Sequence, residues 1–208
     1  AKALCETHNV LFIADEVQTG IARTGRLLAT CGNCSCEKRD CSGTPDVKPD
    51  ILILGKALSG GAYPVSAVLA NDPIMKVITP GSHGSTFGGN PIAAAVAMAA
   101  LEVVVDEKLA ENAYNLGIIF RAELNKFIKT STICNEVRGK GLLNAILIND
   151  DEQSDTAWNI CMRLRDNGLL AKPTHGNIIR FAPPLVMTQE QLHECISIIT
   201  TTLKEFEV

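Results

Sequence analysis

Val10-Leu-Phe-Ile-Ala14 is an uninterrupted apolar run closed by Asp15-Glu16. A run without polar alternation suits a strand covered on both faces, as in a parallel sheet. Ile51-Leu-Ile-Leu54 and Val65-Ser-Ala-Val-Leu69 repeat the pattern. Three short buried strands with polar or glycine-rich exits predict an α/β sheet. Such sheets bind ligands at the carboxyl ends of their strands, which singles out Asp15 and Gly55-Lys56.

Helical patterning takes over elsewhere. Residues 1–9 read as the tail of a helix leading into the first strand. Asn90-Pro91 pairs an N-cap residue with proline at the first helical position, ahead of an alanine-rich run. Leu109, Ala113, Leu116, Phe120, Leu124 and Phe127 recur every three or four positions and predict an amphipathic helix. Beyond about residue 130 the pattern becomes α+β. Residues 142–148 read as a strand, and Trp158, Cys161, Met162 and Leu164 mark a helix stopped by Asn167-Gly168. Residues 178–182 read as a strand ended by Pro183-Pro184, and Thr188-Gln-Glu-Gln191 forms a capping box for a last helix. The expected division is residues 1–107, the end of a large α/β domain, and residues 108–208, a linking helix and a small α+β domain. Residues 31–49 are expected to be a cysteine-rich insertion in the first.

Composition narrows the function classes. The chain has 208 residues, 46% of them hydrophobic, with 19 Lys+Arg against 23 Asp+Glu and a net charge of −4. That balance argues against a nucleic-acid or anionic-membrane surface. The longest apolar stretch, residues 92–105, is broken by Glu102 and is too short to cross a bilayer of about 30 Å. Ala1 stands where an initiator methionine is usual, so we expect a chain cut from a longer one, with any targeting segment outside it. Eight cysteines, four of them scattered singly, fit a reducing compartment better than a disulfide scaffold.

Lys56 is the sharpest chemical feature. An amine at the end of an apolar strand, followed by Ala57-Leu-Ser-Gly-Gly61, is expected to be partly desolvated, which favours the neutral form that makes a Schiff base. A strand-end lysine can equally reach into solvent. A Walker loop is excluded, because the first required glycine is Asp50 and the hydroxyl position is Ala57. Asp15 ends a neighbouring strand, and a carboxylate there can keep a pyridinium nitrogen protonated, making pyridoxal phosphate an electron sink. Arg138-Gly-Lys-Gly141 reads as a tight approach into the next strand. The four histidines show no metal spacing, and His83 and His175 read as surface residues.

Asp15-Glu-Val-Gln-Thr-Gly20, Gly55-Lys-Ala-Leu-Ser-Gly-Gly61 and Gly84-Ser-Thr-Phe-Gly-Gly-Asn-Pro91 together resemble the subgroup III aminotransferases, which depend on pyridoxal 5'-phosphate. Val137-Arg-Gly-Lys-Gly-Leu-Leu-Asn-Ala145 and Gly168-Leu-Leu-Ala-Lys-Pro-Thr-His-Gly176 look most like the ornithine aminotransferases within that group. The resemblance implies part of a fold type I large domain followed by a smaller α+β domain. It implies that Lys56 binds the cofactor covalently and then acts as acid and base. Asp15 would pair with the pyridine nitrogen and Gln18 with the phenolic oxygen. Ser85 and Thr86 would reach the cofactor phosphate of the partner subunit in a homodimer or larger assembly. Arg180 would bind a substrate carboxylate, a role its planar fork suits.

The implied reaction moves the δ-amino group of L-ornithine to 2-oxoglutarate, giving glutamate 5-semialdehyde and glutamate. Relatives are mostly mitochondrial in eukaryotes, which implies the matrix and leaves the cytoplasm open. The resemblance also places a phosphate-cradling loop and much of the side-chain pocket in an N-terminal half beyond this chain, so these residues alone should bind cofactor poorly. Two alternatives stand. One is another ω-aminotransferase of the group, acting on acetylornithine or 4-aminobutyrate. The other is a non-catalytic metal-binding module built on Cys31, Cys34, Cys36 and Cys41, whose C-x-x-C is a ligand pair but whose single-residue gap fits no two-pair ribbon. No metal is expected under the enzyme reading.

Overall fold

The computed structural model describes residues 1–30 and 47–207, so Cys31, Cys34, Cys36 and Cys41 lie outside the described residues. Two compact units are present. One comprises residues 1–22 and 26–108, the other residues 23–25 and 109–208.

The first unit begins with helix α1 (Lys2–Thr7), followed by strands β1 (Ile13–Asp15), β2 (Ile51–Leu54) and β3 (Ala67–Ala70) in one sheet of that order. β1 and β2 are parallel, with Asp15 opposite Ile53, whereas β3 returns antiparallel, with Ala67 opposite Leu54. The α/β sheet is thus mixed, although its apolar runs suit the strands of a parallel one. The connection from β2 to β3 holds only a 3-10 turn (Lys56–Ser59), too little for the helical crossover that a parallel return needs. Double covering of the strands is likewise not seen among the described residues, where Ile13 and Val68 are more than half exposed. Asp50 anchors the entry to β2, accepting from Lys2 Nζ at 2.7 Å and from Phe12 N–H at 2.7 Å. After the short helix α2 (Asp72–Met75) comes α3 (Pro91–Asp106), whose Asn90 cap accepts the Ala93 N–H at 2.9 Å.

The second unit holds α4 (Leu109–Ile128), β4 (Cys134–Lys140), β5 (Leu143–Ile148), α5 (Thr156–Asp166), β6 (Lys172–Thr174), β7 (Ile178–Phe181) and α6 (Gln189–Lys204). Its sheet is antiparallel throughout, in the order β4-β5-β7-β6. Alternate residues of β5 and β7 turn inward, so that Ile146, Ile148, Ile179 and Phe181 pack beneath the helices with Leu124, Ile160, Leu164, Leu192 and Ile199. Phe120 and Phe181 meet with ring centroids 5.7 Å apart, in the tilted geometry aromatic pairs favour. The capping box at Thr188 is complete in both directions.

Arg23 belongs to this second unit. Its guanidinium donates to the carbonyls of Leu142 (3.1 Å) and Pro183 (2.6 Å), and burial lowers its pKa. Gly141, at φ +55°, lets the chain pass so near that an added Cβ lies 2.4 Å from the Gly25 nitrogen. The strands missing from the sequence reading are β4, whose residues are mostly polar, and β6, a three-residue strand containing Pro173.

Candidate functional site

Lys56 follows an extended Gly55 and itself adopts φ +46°, a left-handed conformation uncommon for a side chain with a Cβ. Such outliers cluster where a site requires a particular geometry. The 3-10 turn it opens buries Leu58 and Ser59 and leaves Lys56 exposed, so the expected partial desolvation is absent among the described residues. The ammonium does not stand alone: Nζ donates to Oε1 of Gln18 at 3.5 Å.

Gln18 sits on the turn that follows β1, closed by the Gly20 N–H donating to the Glu16 carbonyl at 2.9 Å. Asp15 ends β1, and its Oδ1 accepts the Val17 N–H at 3.1 Å, an Asx-type turn that fixes the carboxylate while leaving its second oxygen for another donor. The register places Asp15 beside Ile53, three residues before Lys56. Lys56 and Asp15 make no direct ion pair among the described residues.

Lys56 also lines an open pocket of about 670 Å³ with Tyr63, Ser66, Ser85 and Asn90, within the range of roughly 300–1,000 Å³ usual for small-molecule sites. Ser85 Oγ accepts the Gly88 N–H at 2.9 Å, and a Cβ at Gly88 would fall 2.8 Å from that oxygen, so the turn admits only glycine there without adjustment. Thr86 is exposed and adjoins this turn without lining the pocket. The second unit has an apolar cavity of about 290 Å³ lined by Phe120, Leu142 and Phe181. Its one amide side chain, Asn144, is already bonded to the Gly141 carbonyl and Arg121.

These groups fit pyridoxal phosphate. Lys56 lines the pocket, though Asp15 and Gln18 do not, and the Gln18 oxygen accepts from the Lys56 amine, which leaves the Gln18 NH₂ to donate to a phenolic oxygen. A carboxylate stands at the adjacent strand end, and hydroxyls sit on a glycine-rich turn. Among the described residues no group of three or more His, Cys, Asp and Glu is placed to hold a metal.

Arg180, in the second unit, lies on β7 between the inward-facing Ile179 and Phe181, paired in register with Ala145 and Lys172. It is half-buried, and among the described residues its guanidinium has no hydrogen-bond or ion-pair partner, so it remains available to a carboxylate. His83 and His175 are both exposed. The sequence reading missed Tyr63 and the buried Glu16, which it took as part of a polar strand exit.

Residues 1–203 match the family described as "Aminotransferase class-III". The chain is 59% identical over 202 residues to the "Ornithine aminotransferase, mitochondrial" of Drosophila ananassae, covering 97% of this chain and 43% of that protein. Among solved structures it superposes on an acetylornithine aminotransferase from Elizabethkingia anophelis at a TM-score of 0.88 and 66% identity, over 99% of this chain and 48% of that one. An ornithine aminotransferase from Toxoplasma gondii, described with partial occupancy of PLP at its active site, superposes at a TM-score of 0.86 and 45% identity, over 98% and 45% of the two chains. The chain spans just under half the length of these relatives.

Proposed function

Because the chain belongs to the class-III aminotransferase family, we propose that the longer protein it matches transfers the δ-amino group of L-ornithine to 2-oxoglutarate, yielding glutamate 5-semialdehyde and glutamate, with pyridoxal 5'-phosphate as cofactor. The observation that carries the reading is the Lys56 amine held 3.5 Å from Gln18 in a pocket shared with Ser85. The cofactor, when bound, supplies a conjugated cationic ring that spreads the negative charge developing at a substrate carbon.

The residues of the chain do the rest. Lys56 would hold the cofactor through Nζ and, as a free amine, would serve as the acid and base that moves a proton at the substrate carbon. Asp15 keeps the ring nitrogen protonated by pairing with it, and Gln18 donates to the phenolic oxygen. Ser85 and Thr86 present hydroxyls to a cofactor phosphate, a role we assign across the interface of a homodimer. Arg180 binds a substrate carboxylate through two parallel N–H bonds. We place the protein in the mitochondrial matrix, and the name of the Drosophila relative, which reads mitochondrial, supports the organelle.

A second reading, acetylornithine as amino donor, is favoured by the 66% identity to the Elizabethkingia protein. Initial rates of the full-length protein with ornithine, acetylornithine and 4-aminobutyrate, each with 2-oxoglutarate, separate the two: the highest kcat/KM falls on ornithine if the first reading holds and on acetylornithine if the second does.

A further inference from the structure

Glu16 is a carboxylic acid only 2% exposed, lying between two residues already placed at the site, Asp15 and Gln18. Its carboxylate is saturated by donors. Oε1 accepts the Thr30 N–H and the Thr30 hydroxyl, both at 2.8 Å, while Oε2 accepts the Ala29 N–H at 2.7 Å and the Thr19 hydroxyl at 3.2 Å. Its main chain is fixed as well. The Glu16 N–H donates to the Ile53 carbonyl at 2.9 Å, on the strand that leads to Lys56, and the Glu16 carbonyl accepts from Gly20. A Cβ at Gly20 would lie 2.8 Å from that carbonyl and 3.3 Å from Oε2, so the glycine leaves room for this arrangement. One residue thus joins the β2 strand, the turn carrying Gln18 and the chain at residues 29–30.

We infer that Glu16 is a positioning residue of the cofactor site: its buried carboxylate fixes where Asp15 and Gln18 stand relative to Lys56, without itself touching the cofactor. The inference rests on the aminotransferase reading. A glutamine at this position is nearly isosteric but turns one accepting oxygen into a donating NH₂, which confronts either the Ala29 N–H or the Thr30 donors and leaves a buried N–H unpaired. The turn must then shift, and Gln18 shifts with it. A role confined to stability behaves differently, lowering the unfolding temperature without disturbing a cofactor once the chain has folded.

The test uses the full-length protein and its Glu16→Gln and Glu16→Ala variants, with Leu164→Ala in the core of the second unit as a control for lost stability. Each apoprotein is melted, titrated with pyridoxal phosphate by absorbance, and then scanned across pH for the midpoint of the bound chromophore. We expect Glu16→Gln to weaken cofactor binding at least tenfold and to move that midpoint, while Leu164→Ala lowers the melting temperature and leaves both within twofold of wild type. Glu16→Ala, if it folds, should show the same changes enlarged. Wild-type affinity and midpoint in Glu16→Gln, whatever its melting temperature, overturn the positioning role. Failure of the wild-type protein to attach pyridoxal phosphate to Lys56 overturns the aminotransferase reading itself, a different result from the same series.

Discussion

The Nζ of Lys56 lies 3.5 Å from Oε1 of Gln18, a residue 38 positions earlier in the chain. The parallel pairing of β1 with β2 creates this meeting, because it starts the turn bearing Gln18 and the turn bearing Lys56 from the same edge of the sheet. Gln18→Ala in the full-length protein removes the partner of the amine and, on the proposed role, the donor to the phenolic oxygen. Hydrogen bonds to charged groups are worth about 1.5–3 kcal/mol, so kcat/KM should fall about 10- to 100-fold in steady-state assays. An unchanged kcat/KM contradicts the role given to Gln18.

Asp15 acts through its charge. Asp15→Asn preserves the shape and the Asx-type turn with Val17 but loses the carboxylate that we propose holds a proton on the ring nitrogen. We expect kcat to fall on the order of 10²- to 10³-fold, the range for losing one preorganised electrostatic partner, while the cofactor stays covalently bound by mass spectrometry after reduction. Wild-type kcat in Asp15→Asn removes the ring-nitrogen assignment.

The guanidinium of Arg180 has no hydrogen-bond or ion-pair partner among the described residues, and the residue stands half-buried on β7. Arg180→Ala should raise KM for 2-oxoglutarate by about 10- to 100-fold with a smaller change in kcat, the cost of a charge-assisted pair. Arg180→Lys should recover only part of this loss, because an ammonium lacks the planar fork. Equal KM values for wild type and Arg180→Ala place the carboxylate elsewhere.

Burial pushes the thiols of Cys134 and Cys161 up to about 11, from an ordinary value of 9.0. Both should therefore resist iodoacetamide at pH 8 in the native protein and react once it is unfolded, since the thiolate is the nucleophile. The linkage has a definite sign. The folded chain keeps these protons while the unfolded chain loses them, so stability is unaffected below about pH 9 and declines as pH rises through about 11. Chemical denaturation between pH 8 and 11 measures it, and Cys134→Ala together with Cys161→Ala should flatten the decline.

Features written in neighbouring residues were legible in the sequence. The Asn90-Pro91 start, the Thr188 capping box and the four-and-three spacing of α4 all depend on contacts within a few positions, and all are present. The family resemblance, carried by five motifs in order, is matched by the alignment of residues 1–203. What was not legible depends on distant partners. The antiparallel direction of β3 goes with a connection out of β2 that holds a 3-10 turn and no helical crossover. Arg23 finds its carbonyl partners 119 and 160 residues away, and Glu16 finds its donors 13 and 14 residues on, at Ala29 and Thr30. The exposure of Lys56 and of Val10 and Leu11, which a run of apolar residues does not suggest, goes with a chain that spans less than half its relatives.

The central claim is that the amine of residue 56 carries the cofactor. Full-length protein saturated with pyridoxal phosphate, reduced with borohydride, digested and mapped by mass spectrometry should yield one pyridoxyl-bearing peptide, with the label on Lys56 and none in Lys56→Ala. A label on a different lysine, or ornithine-dependent turnover that survives in Lys56→Ala, contradicts the account.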